Sequence, residues 1–279
     1  MRQSTAMPVA LCQTPSVENK EQSLEAAGRY IEKAAAGGAK LVVLPEMFCC
    51  PYKNSAFPVY AEPAGGSIWR FLSGAAKANR VVLVGGSFPE KGEGGSIYNT
   101  SFVFDQRGEQ IGRHRKMHLF DIDIPGGQRF RESDVLTAGN DICVADTPWG
   151  KIGVLLCFDV RFPELARLLA LAGAGAIVVP AAFNMTTGPL HWELVMQARA
   201  IDNFTYILAC APARDENASY VSYANSMVVS PWGKTLARLG AEPDILYHQL
   251  DMDSITAGQA QIPVLNARRT DLYEIVIKK

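Results

Sequence analysis

A cysteine that closes an apolar run could act as a nucleophile. Cys157 follows the apolar segment 153–156, and Pro163 and Glu164 come shortly after it, as in the first turn of a helix. In α/β folds, a residue at such a strand-to-helix corner lies at the sheet edge where ligands bind. Nearby positive charge would lower the pKa of the thiol and make its thiolate available for covalent catalysis. The alternative is a small buried side chain with a packing role only.

Two charged residues, an acid and a base, could serve that thiol. Glu46 ends a similar corner after the apolar run 41–44 and Pro45, and burial would raise its pKa and suit it to proton transfer near neutral pH. Lys116 lies in the basic segment 112–121 after a predicted hairpin strand, where its ammonium could stand beside a thiolate and a developing oxyanion. Taken alone, each segment also fits a solvated charged side chain.

The elements that must position these residues are short β-branched runs alternating with longer runs of helical period. We expect strands at 9–12, 41–44, 81–86, 97–104, 110–115, 142–146, 152–156, 176–179, 206–211, 227–230 and 235–238, and helices at 20–36, 68–79, 163–172 and 190–203. The tetrapeptide Pro-Trp-Gly-Lys occurs at 148–151 and again at 231–234, each time between two strands, which predicts two tight turns.

The strand pattern predicts two mixed sheets packed face to face with helices outside. Continuous apolar strands are typical of sheets covered on both faces. Hairpins among the strand–helix–strand units indicate that neither sheet is purely parallel. With no linker in the sequence, we expect one domain over 1–279 with its core at about 8–273. The polar connection 121–141 is expected to be a functional loop.

Composition excludes several partners. The net charge is −1, the pI is about 6.4 and 20% of the residues are charged, which predicts no attraction to nucleic acid or to an anionic membrane. The longest apolar stretches, such as 174–182, are shorter than a membrane span. With no secretory signal pattern, we expect a cytoplasmic protein, with a mitochondrial pool left open, and reduced cysteines.

The three corners together resemble the Glu–Lys–Cys triad of the nitrilase superfamily, the carbon–nitrogen hydrolases. The resemblance rests on Leu-Pro-Glu46, Arg-Lys116-Met-His and Cys157-Phe-Asp-x-Arg-Phe-Pro-Glu, in the same order and with similarly wide spacing. It runs over about 8–273. The sequence is more closely similar to the omega-amidase branch, on the segments 116–126, 182–193, 212–215 and 218–220.

That resemblance implies an αββα sandwich, commonly dimerised through helices, and a small-molecule amide as substrate. The substrate class would be an omega-amide of a short 2-oxo dicarboxylic acid, such as 2-oxoglutaramate or 2-oxosuccinamate. It also implies that Glu132, in the segment 130–133, is a second family carboxylate. One segment departs from the branch: 49–55 begins Cys-Cys-Pro where a polar run is usual, although Tyr52 keeps its place at the predicted pocket rim.

The resemblance gives each residue a role in a reaction without metal or organic cofactor. Cys157 would attack the amide carbon, and Lys116 with the backbone N–H of Phe158 would hold the oxyanion. Glu46 would move the proton to the leaving nitrogen and then activate water against the thioester. Glu132 would orient Lys116 or the incoming amide.

Substrate selection needs an anchor for the remote carboxylate. Arg161 could bind it bidentately, and its alternative is a structural ion pair with Glu164. Phe183 and Thr187 are expected to form the pocket wall and a polar contact, together with Tyr52.

Several other readings remain open at this point. A deaminated-glutathione amidase or a nitrilase would use the same triad. A papain-like protease would need one of the four histidines, His114, His118, His191 or His248, as its base. A catalytically silent dimeric scaffold would have no need of the triad. Neither the glycines of 173–175 nor the acids of 121–123 match a dinucleotide or metal motif well.

Overall fold

The computed structural model describes residues 6–15, 18–123 and 129–278. Its strands are β1 (Ala6–Gln13), β2 (Leu41–Val43), β3 (Val82–Val84), β4 (Phe88–Lys91), β5 (Ile97–Phe104), β6 (Gln110–Arg115), β7 (Asp121–Asp123), β8 (Arg129–Arg131), β9 (Cys143–Thr147), β10 (Gly150–Val154), β11 (Ala176–Pro180), β12 (Tyr206–Cys210), β13 (Met227–Val229), β14 (Thr235–Arg238) and β15 (Asp244–Asp251). Its helices are α1 (Lys20–Ala36), α2 (Phe57–Tyr60), α3 (Ser67–Asn79), α4 (Pro163–Leu171), α5 (Gly188–Asn203) and α6 (Asp253–Gln261), with 3-10 turns at Glu93–Gly95, Glu132–Asp134 and Cys157–Arg161.

Two large mixed sheets hold most of the strands. The first has the order β15-β1-β2-β3-β5-β4, and β6 also pairs with β5; β1, β2 and β3 are parallel, and the other pairings are antiparallel. The second has the order β14-β13-β12-β11-β10-β9, with β10, β11 and β12 parallel and the rest antiparallel. The expectation of mixed sheets is confirmed.

Alternate residues of the central strands face two different apolar layers. In β1, Val9 and Leu11 lie in the core between the sheets, whereas Ala10 and Cys12 face the helices. The same alternation occurs across the parallel strands of both sheets. Because both faces of each strand are buried, the sequence reads as an unbroken apolar run.

The helices cover the outer faces of the sheets and complete four layers. Ile31 of α1 and Leu72 of α3 pack on the first sheet. Leu165 of α4 and Met196 of α5 pack on the second sheet. Burial of large aliphatic side chains such as these stabilises the fold by about 1.5–3 kcal/mol each. The predicted αββα sandwich is therefore confirmed.

Element boundaries agree best where the sequence carries a cap or a turn. Helix α1 begins and ends as expected, because the Asn19 side chain accepts a hydrogen bond from the Gln22 N–H at 3.0 Å and Gly37 follows the last turn. Both Pro-Trp-Gly-Lys turns join antiparallel strands, and their glycines, Gly150 and Gly233, have positive φ.

Some elements differ from the expectation. The connection 121–141, expected as a loop, contains the β7–β8 hairpin and the 3-10 turn Glu132–Asp134. Strands β4 and β15 and helices α2 and α6 were not predicted. Strand β4 is short and contains Pro89. Among the described strands β15 pairs with β1 alone, and about half of its residues are exposed, so it lacks a continuous apolar run. Over the described ranges, no helix has the length and apolar character needed to cross a membrane.

Candidate active site

Two corners of the backbone present the acid and the thiol. Cys157 has a φ of +43° and opens a 3-10 turn just beyond β10, and Met47, with a φ of +50°, directly follows Glu46 just beyond β2. Left-handed conformations cost a residue other than glycine about 1–3 kcal/mol and persist where the surrounding structure enforces them. Each corner follows a parallel strand, one in each sheet, so the packed sheets bring Glu46 and Cys157 together at one edge.

The Lys116 ammonium lies between two carboxylates in the interior. Its Nζ is 2.9 Å from Glu46 Oε1, and it is 3.1 Å from Glu132 Oε1 and 3.0 Å from Glu132 Oε2. All three side chains are buried. The backbone of Lys116 is held on both sides, since its N–H donates to the carbonyl of Asn99 and its carbonyl accepts from the N–H of Gly139. The ammonium is therefore fixed in place and outnumbered by negative charge.

Further hydrogen bonds fix the two carboxylates. The Tyr52 hydroxyl donates to Glu132 Oε1 at 2.7 Å, and the Asn99 side-chain amide donates to Glu46 Oε1 at 2.8 Å. The backbone N–H of Phe120 donates to Glu132 Oε2 at 2.7 Å. Glu46 Oε2 is buried and has no hydrogen-bond partner among the described residues. That oxygen is thus available as a proton acceptor.

The ionisation of the three groups is mutually linked. Burial raises the pKa of Glu46, Lys116 lowers it and Glu132 raises it, with a net increase. Burial lowers the pKa of Lys116, but Glu132 and Glu46 together raise it by more, so the pKa is raised overall and the amine stays protonated. Burial raises the pKa of Cys157, as does Glu46, whereas Lys116 and a hydrogen bond from the Ala182 backbone lower it. The resting state these shifts favour is a thiol beside a carboxylate that can take its proton.

A cavity opens beside Glu46. It has a volume of about 150 Å³, enough for a few non-hydrogen atoms, and its described lining includes Glu46, Cys50, Tyr52, Ala182 and Tyr220. Cys50 belongs to the segment that departs from the branch pattern, so this departure lies in the wall of the cavity. Tyr220 stacks on Tyr52, with ring centroids 4.6 Å apart, and donates a hydrogen bond to the carbonyl of Ala182.

Arg161 stands apart from that lining. Its guanidinium carbon lies 4.8 Å from the ring centroid of Phe183 and 5.8 Å from that of Phe158, and its Nη1 is 3.1 Å from His191 Nδ1. Burial lowers the pKa of this half-buried guanidinium. Among the described residues it forms no ion pair with Glu164 or any other acid.

Two expected pocket residues border the same region. Phe183 is buried against Trp192, with ring centroids 5.0 Å apart, and Thr187 donates its hydroxyl to Asn184 Oδ1 at 3.0 Å. The contact expected of Thr187 with substrate stays a prediction. Pro125 and Gly126, which end one of the motifs similar to the omega-amidases, lie outside the described residues.

Four residues at the site had no role assigned from the sequence: Asn99, Asp159, Ala182 and Tyr220. Asp159, Ala182 and Tyr220 lie within motifs that carry the family resemblance, so a signal for them was present. Asn99 had none, because its contact with Glu46 joins β5 to the corner after β2, and β3 lies between these two strands in the first sheet. Over the described residues, no group of three or more His, Cys, Asp or Glu side chains is arranged to hold a metal ion.

The fold and this arrangement of residues are those of one enzyme class. The chain belongs to the carbon–nitrogen hydrolase family, whose model matches residues 8–260. It is 46% identical over 260 residues to omega-amidase NIT2-A of Xenopus laevis, covering 93% of this chain and 94% of that protein. It is 44% identical to omega-amidase NIT2 of Bos taurus, covering 97% and 98% of the two chains.

Solved structures agree with these sequence relatives. The crystal structure of Saccharomyces cerevisiae Nit3, described as a member of branch 10 of the nitrilase superfamily, superposes with a TM-score of 0.87 at 40% identity, covering 95% of this chain and 97% of that one. The predicted membership of the nitrilase superfamily and the likeness to omega-amidases are confirmed.

Proposed function

We propose that this protein is an omega-amidase, which hydrolyses the omega-amide of short 2-oxo dicarboxylic acid monoamides to the dicarboxylate and ammonia. The observation that carries the proposal is the Lys116 ammonium held between the Glu46 and Glu132 carboxylates and interacting with the Cys157 thiol. The relatives named omega-amidases support amide hydrolysis, and the family resemblance implies 2-oxoglutaramate and 2-oxosuccinamate as candidate substrates.

The first half-reaction forms a thioester and releases ammonia. Glu46 takes the thiol proton of Cys157, and the thiolate attacks the amide carbon. The carbonyl oxygen becomes an oxyanion held by the Lys116 ammonium and the backbone N–H of Phe158; loss of one such donor typically costs about 3 kcal/mol of transition-state stabilisation. Glu46 then passes the proton to the amide nitrogen as the carbon–nitrogen bond breaks, and ammonia leaves.

The second half-reaction regenerates the thiol. Glu46 removes a proton from a water molecule, which attacks the thioester carbon, and Lys116 and Phe158 again hold the oxyanion. The carbon–sulfur bond breaks as the intermediate collapses, and the proton on Glu46 returns to the Cys157 sulfur. The net reaction is amide plus water to carboxylic acid plus ammonia.

The remaining residues orient the reactants. Glu132, fixed by Tyr52 and by the Phe120 N–H, holds Lys116 in line with the oxyanion. Arg161, which forms no ion pair with a described acid, binds the remote carboxylate of the substrate. By analogy with buried charge pairs, loss of that contact should cost roughly 2–5 kcal/mol of transition-state binding. Arg161→Gln should therefore lower kcat/KM for an amide that carries the carboxylate far more than for a simple aliphatic amide.

The alternatives differ in substrate or in class. A deaminated-glutathione amidase and a nitrilase would use the same triad, so only turnover separates them. The protease alternative loses support because the described groups that act on the Cys157 thiol are Glu46, Lys116 and the Ala182 backbone, and none of them is a histidine. A silent scaffold has no use for three buried charges, whose desolvation costs free energy.

The test is ammonia release from 2-oxoglutaramate, with an aliphatic nitrile and deaminated glutathione assayed in parallel. Wild type should release ammonia from 2-oxoglutaramate, and Cys157→Ala should not. Cys143→Ala is the matched control, since Cys143 is also a buried cysteine but lies in the core between the sheets. Turnover confined to the nitrile or to deaminated glutathione would overturn the substrate class, and no turnover by folded protein would favour the scaffold.

We also propose that the single domain over 1–279 forms a homodimer through α5. Leu190, Leu194 and Ile201 on this helix are each more than half exposed, an apolar surface unusual for a monomer. Light scattering should give twice the chain mass for wild type and the chain mass for Leu194→Glu. A monomeric wild type at micromolar concentration would overturn the dimer.

Our proposed location is the cytoplasm, with a mitochondrial pool possible. All six cysteines are free thiols, as in compartments that keep thiols reduced. Cell fractionation with an antibody to the protein would test this location, and recovery in a secreted fraction would contradict it.

A further inference from the structure

The carboxylate of Asp159 lies near the site and has four hydrogen-bond partners. It is fully buried. Its Oδ1 accepts from the backbone N–H of His118 at 2.9 Å and lies 2.8 Å from His118 Nδ1. Its Oδ2 accepts from the backbone N–H of Leu156 at 3.1 Å and lies 2.8 Å from His114 Nε2. Each oxygen thus takes one backbone donor and one imidazole.

The hydrogen-bond partners of Asp159 are close in sequence to Cys157 and to Lys116. Leu156 directly precedes Cys157, and Asp159 belongs to the 3-10 turn that Cys157 opens. His114 and His118 flank Lys116, each two residues away along the chain. One buried carboxylate therefore ties the segment that carries the ammonium to the turn that carries the nucleophile. These contacts, from Asp159 to His114, His118 and Leu156, are called the Asp159 clamp below.

The Asp159 clamp is held as an anion with fixed neighbours. Burial alone would raise the pKa of Asp159, but hydrogen bonds from His114 and His118 lower it well below its ordinary range. Each histidine needs only one ring N–H to make its contact, so neutral imidazoles suffice. The His118 ring also stacks on Phe162, with ring centroids 3.6 Å apart, which restricts its rotation.

We propose that Asp159, through His114 and His118, is a positioning residue that sets the distance between the Lys116 ammonium and the Cys157 sulfur. The inference rests on the proposed cysteine chemistry, in which the ammonium lowers the thiol pKa and then holds the oxyanion. Both tasks depend steeply on distance, because a misplacement of about 1 Å can cost roughly 100-fold in rate. The Lys116 segment follows a strand of the first sheet, and the Cys157 turn follows a strand of the second sheet. No described strand pairing joins the two sheets, so the Asp159 clamp provides a direct hydrogen-bonded link between the two segments.

Asp159→Asn is the sharpest substitution because the amide cannot reproduce the clamp. Each carboxylate oxygen accepts from a backbone N–H, so whichever oxygen becomes an NH2 group must face a donor. A histidine can change its tautomer to accept, but a backbone N–H cannot. The variant keeps the shape of Asp159 and loses the geometry it imposes.

The experiment measures the clamp by the reactivity of Cys157 itself. Alkylation of the Cys157 peptide by iodoacetamide, followed by mass spectrometry from pH 7 to pH 11.5, reports the thiolate fraction, and the range extends upward because burial raises the pKa of this thiol. For Asp159→Asn we expect the midpoint to rise by about one pH unit, as when an opposite charge moves away. We also expect kcat on 2-oxoglutaramate to fall about 10- to 100-fold with KM changed by less than about threefold.

A matched control separates positioning from general stability. Glu62→Gln alters another hydrogen-bonded carboxylate, which binds Lys20, Ser67 and the N–H of Ile68 at the start of α3. It should lower the melting temperature but leave the alkylation midpoint and kcat unchanged.

Rescue by conservative substitution tests the two histidines. Asn at position 118 places an N–H donor near the position of Nδ1, and Gln at position 114 places one near that of Nε2. His118→Asn and His114→Gln should therefore keep more activity and a lower alkylation midpoint than His118→Ala and His114→Ala.

Two results would overturn the proposal. One is an Asp159→Asn variant, folded by circular dichroism, whose alkylation midpoint equals that of wild type. The other is a midpoint that moves equally in Asp159→Asn and Glu62→Gln. Because alkylation needs no substrate, the clamp can be judged even if 2-oxoglutaramate proves to be the wrong amide.

Discussion

Arg115 and Lys116 are consecutive cations with opposite surroundings. Both bind carboxylates, and both depend on the pairing of β5 with β6. Arg115 holds Glu90 through Nε and Nη2, at 2.8 and 2.9 Å, and its strand partner Thr100 donates to the same carboxylate. Lys116 binds Glu46, which also accepts from Asn99, the residue before Thr100. Successive side chains alternate between faces, so one strand pair serves two charge clusters.

The two clusters differ in the balance of charge. Glu90 is one carboxylate with Arg115 bound to it and Arg113 3.8 Å away, and both of its oxygens are paired. At the candidate active site, two carboxylates share one ammonium, and Glu46 Oε2 has no hydrogen-bond partner among the described residues. The Glu90 cluster is complete without a ligand and suits a structural role. The Lys116 cluster retains an unpaired acceptor, which is what proton transfer requires.

The largest difference should come from removing each cation in turn. Lys116→Met should lower kcat/KM for 2-oxoglutaramate by at least about 1000-fold, because the oxyanion loses its charged donor. It should also destabilise the fold by roughly 3–5 kcal/mol, because it leaves two carboxylates buried together. Arg115→Met should destabilise the fold by up to about 3 kcal/mol and change kcat/KM less than threefold. Ammonia release measures kcat/KM and urea unfolding measures stability for the two variants. Equal losses of activity would contradict the different roles assigned to Lys116 and Arg115.

Glu46→Gln should separate activity from stability. Without a base, kcat should fall about 100- to 10,000-fold. The folded-state pKa of Glu46 is raised above its ordinary 4.5, so its favourable contribution to stability is present below pH 4.5 and is lost as pH rises through the raised pKa. Above that raised pKa its charge is therefore a cost, and the variant should be more stable than wild type at pH 8, since Lys116 keeps Glu132.

That gain in stability should shrink as the pH is lowered toward 4.5. Thermal unfolding of wild type and Glu46→Gln at several pH values measures it. A variant less stable than wild type at pH 8 would mean that the Glu46 charge stabilises the fold, as the Glu90 charge is expected to do.

Glu132→Gln should have an intermediate effect. The amide retains one oxygen but loses the charge that fixes Lys116, and a hydrogen bond to a charged group is worth about 1.5–3 kcal/mol. We expect kcat to fall roughly 10- to 100-fold. Glu90→Gln is the matched change in the other cluster and should alter kcat less than twofold. Steady-state kinetics measures kcat for both variants. Equal falls in kcat would contradict a catalytic need for the second carboxylate beside Lys116.

Tyr52→Phe should have the smallest effect on the site. It removes one neutral donor to Glu132 and keeps the ring stacked on Tyr220. The loss of about 1 kcal/mol corresponds to roughly a fivefold fall in kcat. A fall as large as that of Glu132→Gln would show that the hydroxyl does more than orient the carboxylate.

Much of the fold could be predicted from local patterns. Apolar runs located the central strands, the Asn19 cap and Gly37 marked the ends of α1, and two identical turns marked two hairpins. Strand β15 and helix α6 could not be found in this way, because their stability comes from packing against β1 and the core between the sheets. The polar sequence of 121–141 predicts a loop, because the short β7–β8 hairpin buries little apolar surface and leaves no apolar pattern in the sequence.

The sequence by itself located the candidate reactive residues and the corners that carry them. Runs ending at Glu46 and Cys157, and a lysine after a hairpin strand, place three side chains at corners and match a family triad. Only the tertiary structure decided the electrostatics of these residues. It leaves Glu46 Oε2 unpaired and brings Asn99 to donate to Glu46 Oε1. It also lets Asp159 join the Lys116 and Cys157 segments. Local sequence sets backbone angles and side-chain periodicity, whereas contacts between distant residues and the burial of their charges arise only when two sheets pack together.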